Sequence, residues 1–399
     1  MKINNYSKVL TYLIILSVIY CVFMVTYSFS KSDNSTILNS YIDIVKVQDE
    51  NIASLYKQIS NLGIEKKMIS AIDKVSKSVV SIYVISKNQM LSEETIELAN
   101  KNSGSGVIID EQGYVVTNYH VIKSAISDDN EVVIRLFGGE QFTIGLDKIS
   151  FDALTDLAIL KIDGYNFTPP LRGDSDKVKV GSIAIALGNP LGLFDMSFEP
   201  TATTGIISGK NIDFGLDEDF GSVYKDMIQT DASINPGNSG GPLLDKEGKI
   251  IGINTFIITG SEDYKGSVGL NFAIPINRAI KIINELKENG EIDRKHITGI
   301  ELADIDLVIK KIWKSYLEGI DEGVIVLDVE KKSAGEKAGL KIRDVILEVN
   351  GRKINSVKDY NNAILEDEMK TGEYIELLIL RNNESKVINL ELEKRKFHD

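Results

Sequence analysis

Val79-Val80-Ser81-Ile82-Tyr83-Val84-Ile85 opens a series of short β-branched runs whose reading decides the fold. Gly106-Val107-Ile108-Ile109, Tyr114-Val115-Val116 and Val132-Val133-Ile134-Arg135-Leu136 follow it. Further along come Ile183-Ala184-Ile185-Ala186-Leu187, Gly205-Ile206-Ile207 and Ile250-Ile251-Gly252-Ile253. β-Branched side chains are stiff in a helix and pack well on a pleated surface, so each run reads as a strand. Glycines and polar turns separate the runs. Many short strands at this spacing, with little helix, predict an all-β barrel or sandwich over residues 68–275. Residues 276–289, with Ile280, Ile283 and Leu286 on one face, predict an amphipathic helix closed by Gly290, the core of a linker at 276–295.

Beyond it, residues 296–396 mix the two periods. Gly323-Val324-Ile325-Val326-Leu327, Asp344-Val345-Ile346-Leu347-Glu348-Val349 and Tyr374-Ile375-Glu376-Leu377-Leu378-Ile379-Leu380 read as strands, and 333–339 and 356–369 as helices. Asn350-Gly351 is a tight-turn dipeptide. The chain therefore reads as mainly β, followed by a smaller α+β unit.

The N-terminus differs from both. Residues 9–30 carry no charged side chain and are flanked by Lys8 and Lys31. At ~1.5 Å per helical residue such a stretch crosses a hydrocarbon core of ~30 Å. Lys2 and Lys8 on its short side predict a cytoplasmic tail at 1–8, with everything after residue 30 outside the cytoplasm, as in a single-pass cell membrane protein. The competing reading is a cleaved signal peptide ending near Ser28-Phe29-Ser30. Residues 31–67 form a stalk. Within it Leu38, Val45, Ile52 and Ile59 alternate with Tyr41, Gln48, Leu55 and Leu62, the a/d pattern of a short coiled coil. An amphipathic helix packed on the next domain would give the same pattern.

A net charge of −13 argues against nucleic acid as a partner. There is no zinc-spaced Cys/His set, and the single cysteine, Cys21, lies in the apolar segment. Neither metal nor organic cofactor is implied.

The chemistry concentrates in Asn235-Pro236-Gly237-Asn238-Ser239-Gly240-Gly241-Pro242-Leu243. A serine hydroxyl needs an adjacent base, a group to hold that base, and amides aimed at a developing oxyanion. Gly237 and Ser239 are placed to donate those amides, with Gly240 and Gly241 leaving space for substrate. By itself a glycine-rich turn containing serine is usually only a turn. Of the three histidines, His120, His296 and His398, only His120 lies in the β-rich domain, which makes it the candidate base. Asp156, flanked by apolar residues in Leu154-Thr155-Asp156-Leu157-Ala158, is the candidate orienting acid. Asp147, Asp152 and Asp163 compete with it, but their more polar neighbourhoods suit surface positions.

The segments Ser103-Gly104-Ser105-Gly106-Val107-Ile108, Thr117-Asn118-Tyr119-His120-Val121, Thr155-Asp156-Leu157-Ala158 and Gly237-Asn238-Ser239-Gly240-Gly241-Pro242-Leu243 resemble the HtrA (Deg) family of serine proteases. Ala186-Leu187-Gly188-Asn189-Pro190, Thr203-Thr204-Gly205-Ile206-Ile207-Ser208, Gln229-Thr230-Asp231-Ala232-Ser233-Ile234-Asn235 and Phe272-Ala273-Ile274-Pro275 do so too. The resemblance implies a chymotrypsin-type double β-barrel, the triad His120, Asp156 and Ser239, and an oxyanion hole at Gly237 and Ser239. It puts Ile234, Ile257 and Leu270 in the primary specificity pocket. Three aliphatic side chains there imply cleavage after small or medium aliphatic residues. Residues 209–221 would be a sensor loop and 257–269 an activation loop.

The C-terminal unit resembles the PDZ domain of this family in His296-Ile297-Thr298-Gly299-Ile300, Ala338-Gly339-Leu340 and Asp344-Val345-Ile346-Leu347-Glu348-Val349-Asn350-Gly351. Ile297, Thr298, Gly299 and Ile300 would then capture a peptide's terminal carboxylate. Arg343 stands where the family usually has glycine, so the local turn there is expected to differ.

These readings add up to an endopeptidase of the HtrA/Deg type acting on misfolded or exported proteins at the extracytoplasmic face of the membrane, a protein quality control and stress response role. The alternatives are a catalytically silent PDZ scaffold or holdase, and a signalling protease cutting one membrane-bound regulator. A homotrimer is implied by the resemblance. Activity should fall as His120 protonates, near its ordinary pKa of ~6.5.

Overall fold

The computed structural model describes residues 63–85, 103–127, 130–164, 167–190, 197–217, 221–257, 267–313 and 316–394, with the isolated positions 20 and 46. The segment expected to cross a membrane and nearly all of the heptad stretch lie outside the described residues. Among the described residues no helix is long and apolar enough to cross a membrane.

The first helix, α1 (Ile64–Ser76), follows Gly63 and runs through the expected stalk boundary at 67/68. Its Ala71 and Val75 are buried. Seven antiparallel strands come next: β1 (Val79–Ile85), β2 (Ser103–Ile108), β3 (Tyr114–Thr117), β4 (Glu131–Arg135), β5 (Gln141–Ile144), β6 (Ile149–Asp152) and β7 (Leu157–Lys161). They form one sheet in the order β5-β4-β1-β2-β3-β7-β6. The short helix α2 (Tyr119–Ser127) interrupts this run after β3. β-Branched content had pointed only to strands here. The helix forms because Val121, Ile122 and Ala125 bury one face against the sheet's own core.

The second body comprises β8 (Ile183–Gly188), β9 (Thr201–Ile212), β10 (Gly215–Asp217), β11 (Ser222–Tyr224), β12 (Met227–Thr230), β13 (Pro242–Leu244), β14 (Ile250–Ile257) and β15 (Asn271–Pro275). Six of these close into a barrel, β12-β15-β14-β13-β8-β9, while β10 and β11 pair as a separate hairpin. The expected double barrel is thus one closed barrel and one seven-strand sheet. In the sheet the edge strands β5 and β6 are joined by a 3-10 turn at Leu146–Lys148 and do not pair with each other.

One apolar cluster lies between the two bodies. It combines Val107, Val116 and Leu157 of the sheet with Ile185, Leu187 and Ile274 of the barrel, capped by Val75 of α1 and Ile283 of α3 (Ile276–Asn289). Each such side chain contributes about 1.5–3 kcal/mol by leaving water, so this junction is fixed before any polar group is added. α3 ends as its sequence predicts, with Gly290 left-handed at φ 77 and its amide on Leu286 O at 2.9 Å.

The last unit contains β16 (His296–Ile297), β17 (Ile300–Asp304), α4 (Leu307–Ile312), β18 (Val324–Val329), α5 (Ala334–Ala338), β19 (Val345–Val349), β20 (Arg352–Lys353), α6 (Val357–Glu366), β21 (Tyr374–Arg381), β22 (Glu384–Glu391) and β23 (Glu393–Lys394). Its main sheet runs β17-β18-β19-β21-β22, leaving β17 at an edge. Asn350 and Gly351 are both left-handed, as a tight hairpin between β19 and β20 requires. Arg343 adopts the left-handed backbone itself, at φ 80, and its guanidinium lies 4.9 Å from the Trp313 ring. Arg343 thus takes a backbone conformation that ordinarily favours glycine.

Candidate active site

Ser239 sits on a turn clamped from both bodies. Ser105 of β2 donates its amide to Ser239 O at 2.8 Å and its hydroxyl to Gly237 O at 2.6 Å. From β14, Asn254 O accepts the Gly240 amide at 2.8 Å, and the Asn254 amide reaches Gly241 O at 2.9 Å. Gly240 is left-handed, φ 85, and an added Cβ would come within 2.1 Å of Ser105 O. At Gly241 the same atom would meet Leu187 O at 2.2 Å. The expectation that these two glycines make room for substrate is corrected: they make room for the protein's own backbone.

The amides of the turn divide into two sets. Those of Asn238, Gly240 and Gly241 are spent on Asn235 O, Asn254 O and Asn238 O. Among the described residues, those of Gly237 and Ser239 have no protein acceptor. The two amides expected to bind an oxyanion are the two left available.

His120 and Asp156 are brought into direct contact. His120 stands at the start of α2, and Asp156 on the turn before β7, fully buried. Asp156 Oδ2 lies 2.8 Å from His120 Nδ1, and Oδ1 accepts the His120 amide at 2.9 Å. A carboxylate only accepts, so Nδ1 carries the proton and Nε2 is left as the base. Burial pulls the imidazole pKa down; the charge and hydrogen bond of Asp156 outweigh it, and the net shift is upward.

Asp156 itself is left-handed at φ 54, a conformation a non-glycine residue keeps only where neighbours hold it. Its carbonyl accepts from Asn118 Nδ2 at 3.0 Å and from the Tyr119 amide at 3.2 Å. Tyr224 of β11 brings its hydroxyl to 3.2 Å from Asp156 Oδ2. Asn118 Nδ2 also reaches Thr255 Oγ1 at 3.3 Å, and Thr255 O accepts the Ser239 hydroxyl at 2.9 Å. Through Thr255 of β14, the turn that carries Ser239 is joined to Asn118, just before α2 and His120.

Sequence reasoning missed Ser105, Asn118, Tyr224 and Thr255. The blocks around Ser105 and Asn118 stood out, without a pattern to show which side chain braces what. Tyr224 gave no signal. Asp152, taken for a surface acid, is buried and bonded to Arg294 and Thr155. Asp163 is exposed as expected.

The three positions expected to line a specificity pocket each have a backbone relationship to Asn271. Its Oδ1 accepts the Ile234 amide at 3.3 Å, it pairs in register with Ile257, and it follows Leu270 in the chain. Ile234 is 1% exposed inside the barrel, and Leu270 is 41% exposed. The Ile257 side chain and residues 258–266 of the expected activation loop lie outside the described residues, as do 218–220 of the sensor loop.

In the last unit, Ile297, Thr298, Gly299 and Ile300 line a groove of 810 Å³ with Tyr360 and Ile364 of α6. Thr298 O accepts the Gly335 amide at 2.8 Å and Gly299 O the Glu330 amide at 2.9 Å, so the turn is held by its carbonyls. β17 forms one wall as an edge strand, the arrangement that accepts an extended peptide as a further strand.

Residues 104–253 match the family of trypsin-like peptidase domains, and residues 299–392 match the PDZ domain family. The fold is thus that of a trypsin-like protease carrying a PDZ domain. Serine protease Do-like HtrB of Bacillus subtilis (strain 168) is 37% identical over 73% of this chain and 62% of its own length. Serine protease Do-like HtrA of the same organism is 36% identical over 76% of this chain and 66% of its own. A solved structure described as HtrA-type protease AlgW with decapeptide superposes with a TM-score of 0.57 at 29% identity, covering 82% of this chain and 98% of that one. The chain belongs to the HtrA/DegP family of serine proteases with a C-terminal PDZ domain. It spans roughly half to two thirds of the length of the curated relatives it matches, from 48% to 66%.

Proposed function

We propose that this chain is a serine endopeptidase that hydrolyses peptide bonds through an acyl-enzyme. The observation that carries it is the buried Asp156 carboxylate holding His120 by Nδ1, which leaves Nε2 as base. Ser239 Oγ leaves the Thr255 carbonyl, gives its proton to Nε2 and attacks the scissile carbonyl. The amides of Gly237 and Ser239 receive the oxyanion. The imidazolium then protonates the leaving amine, and water repeats the sequence in reverse to release the acid.

The substrates we propose are unfolded or exported proteins, with their C-terminal tails bound in the groove between β17 and α6. Cleavage after small or medium aliphatic residues follows if Ile234, Ile257 and Leu270 line the specificity pocket. A bulkier residue at Leu270 then shrinks that preference, by the ~1–3 kcal/mol a methylene is worth. Residues 9–30 anchor the chain with its protease and PDZ domains outside the cytoplasm, and the stalk heptads assist a homotrimer.

Casein degradation by the wild type and Ser239→Ala tests the core of the proposal. Activity in the first and none in the second is expected; equal rates in both would refute the Ser239 mechanism, and no degradation by either would favour a PDZ scaffold or holdase. Comparing cleaved termini across a proteome with and without Ser239 identifies the substrates.

A further inference from the structure

We propose that Tyr224 is a positioning residue for Asp156, and that Arg278 fixes it there from a contact shared with the PDZ domain. The inference rests on the reading of Asp156 and His120 as orienting acid and base. It adds a donor to the acid, and a connection from that donor to another part of the chain.

Asp156 Oδ2 takes two donors, His120 Nδ1 at 2.8 Å and Tyr224 Oη at 3.2 Å. Tyr224 is buried in the apolar cluster between sheet and barrel. Burial, and next the Asp156 charge, push its phenol pKa far up, with Asp217 adding to it. The hydroxyl therefore keeps its proton and remains a donor at any working pH.

The strand that carries it is tied on both sides. Towards the acid, the Val223 amide donates to Leu154 O at 2.6 Å and Ser222 Oγ to Ala153 O at 2.8 Å. Residues 222–224 thus brace the turn that holds Asp156 in its left-handed conformation. Away from the acid, Arg278 of α3 donates Nη2 to Val223 O at 3.1 Å and Nη1 to Lys225 O at 3.0 Å. The same guanidinium is ion-paired with Glu368, two residues beyond α6. α6 is the helix whose Tyr360 and Ile364 line the peptide groove. A guanidinium has a fixed fork of donors, so a move of Glu368 changes what the two carbonyls receive. Glu368, Arg278, β11, Tyr224 and Asp156 form one continuous set of contacts. It reaches the acid without passing through Ser239 or its turn.

The effect on the base has a definite sign. A donor on Oδ2 disperses carboxylate charge and so weakens the support given to imidazolium. Removing it makes Asp156 a stronger partner and raises the His120 pKa further. A side chain serving only to fill space would leave that pKa unmoved, because phenylalanine fills the same space.

The test is an NMR titration of the His120 ring in the full chain, for wild type, Tyr224→Phe and Arg278→Gln. Tyr224→Phe is expected to raise the His120 midpoint by about half a unit, the scale of one lost donor among several on a carboxylate. Arg278→Gln keeps the hydroxyl but loosens its strand, and should give a smaller rise. A midpoint in Tyr224→Phe equal to wild type overturns the proposal; should that variant not fold, an unmoved midpoint in Arg278→Gln does so. The titration does not need a reactive serine. Labelling of Ser239 by a fluorophosphonate, run alongside, reports on the protease reading alone, so the two ideas fail separately.

Discussion

Arg294 grips Asp152 with two nitrogens, Nη2 at 2.9 Å from Oδ2 and Nε at 3.1 Å from Oδ1. Asp152 ends β6, and Arg294 lies between α3 and β16, so the pair joins the protease sheet to the approach of the PDZ domain. Arg294 Nη1 continues to the carbonyls of Glu368 and Met369 beyond α6. Both side chains are largely removed from water.

Removing one partner of a buried pair leaves the other charge uncompensated, which costs more than the pair contributed. Arg294→Ala is therefore expected to destabilise the chain by about 3 kcal/mol, the lower end for such losses because the pair is not wholly dry. Arg294→Gln combined with Asp152→Asn should recover most of it, since no charge is then stranded. Urea unfolding of the single and double variants checks this. A double variant no better than Arg294→Ala would contradict it.

The pH dependence follows from the upward shift at His120. Catalysis needs the neutral ring. With its pKa above the ordinary ~6.5, protonation begins earlier as pH falls, and the acid limb of kcat/KM should have its midpoint above 6.5. Asp156→Asn removes the charge that raises the pKa and leaves the burial that lowers it. The ring should then titrate below 6.5 while activity falls by about four powers of ten, as loss of the orienting charge and tautomer implies. A wild-type midpoint at or below 6.5 would be the wrong sign.

Gly240 and Gly181 make a controlled comparison. Both are left-handed, but an added Cβ at Gly181 meets nothing within 4 Å, whereas at Gly240 it meets Ser105 O at 2.1 Å and Thr117 Oγ1 at 2.2 Å. Gly181→Ala should cost only the conformational term, about 1 kcal/mol. Gly240→Ala adds a backbone clash in a turn clamped from both sides, for about 3 kcal/mol or more, and displaces Ser239. Thermal unfolding and casein hydrolysis of both variants separate the terms; equal losses would show that the clash relaxes away.

What the sequence disclosed divides along physical lines. The strands, the Gly290 stop and the Asn350-Gly351 hairpin are local in origin, so β-branching and turn chemistry revealed them. His120 stood out as the sole histidine of its domain. Tyr224 and Arg278 did not, since their importance arises from what lies 68 residues away at Asp156 and 90 away at Glu368. Asp152 was misplaced for the same reason: nothing beside it in sequence, Phe151 and Ala153, marks a partner, and that partner is Arg294, 142 residues on. The α2 helix was missed because its apolar residues face the same core that the neighbouring strands bury.

Arg343 allows a last prediction with an unusual order. A non-glycine residue held left-handed costs about 1–2 kcal/mol, and here the guanidinium's contact with Trp313 at 4.9 Å and Tyr316 at 6.0 Å offsets part of it. An exposed cation–π contact of this kind contributes about 0.5–1 kcal/mol. Arg343→Ala keeps the strain and loses the contact. Arg343→Gly loses the contact, sheds the strain and gains freedom in the unfolded chain, so these changes nearly cancel. Glycine should therefore be close to wild type and alanine less stable than glycine by about 1 kcal/mol, the reverse of their order in a helix. Trp313 is the only tryptophan in the chain, so its fluorescence reports unfolding at this site directly. Urea titrations of the three proteins followed at Trp313 would contradict the account if alanine matched or exceeded glycine.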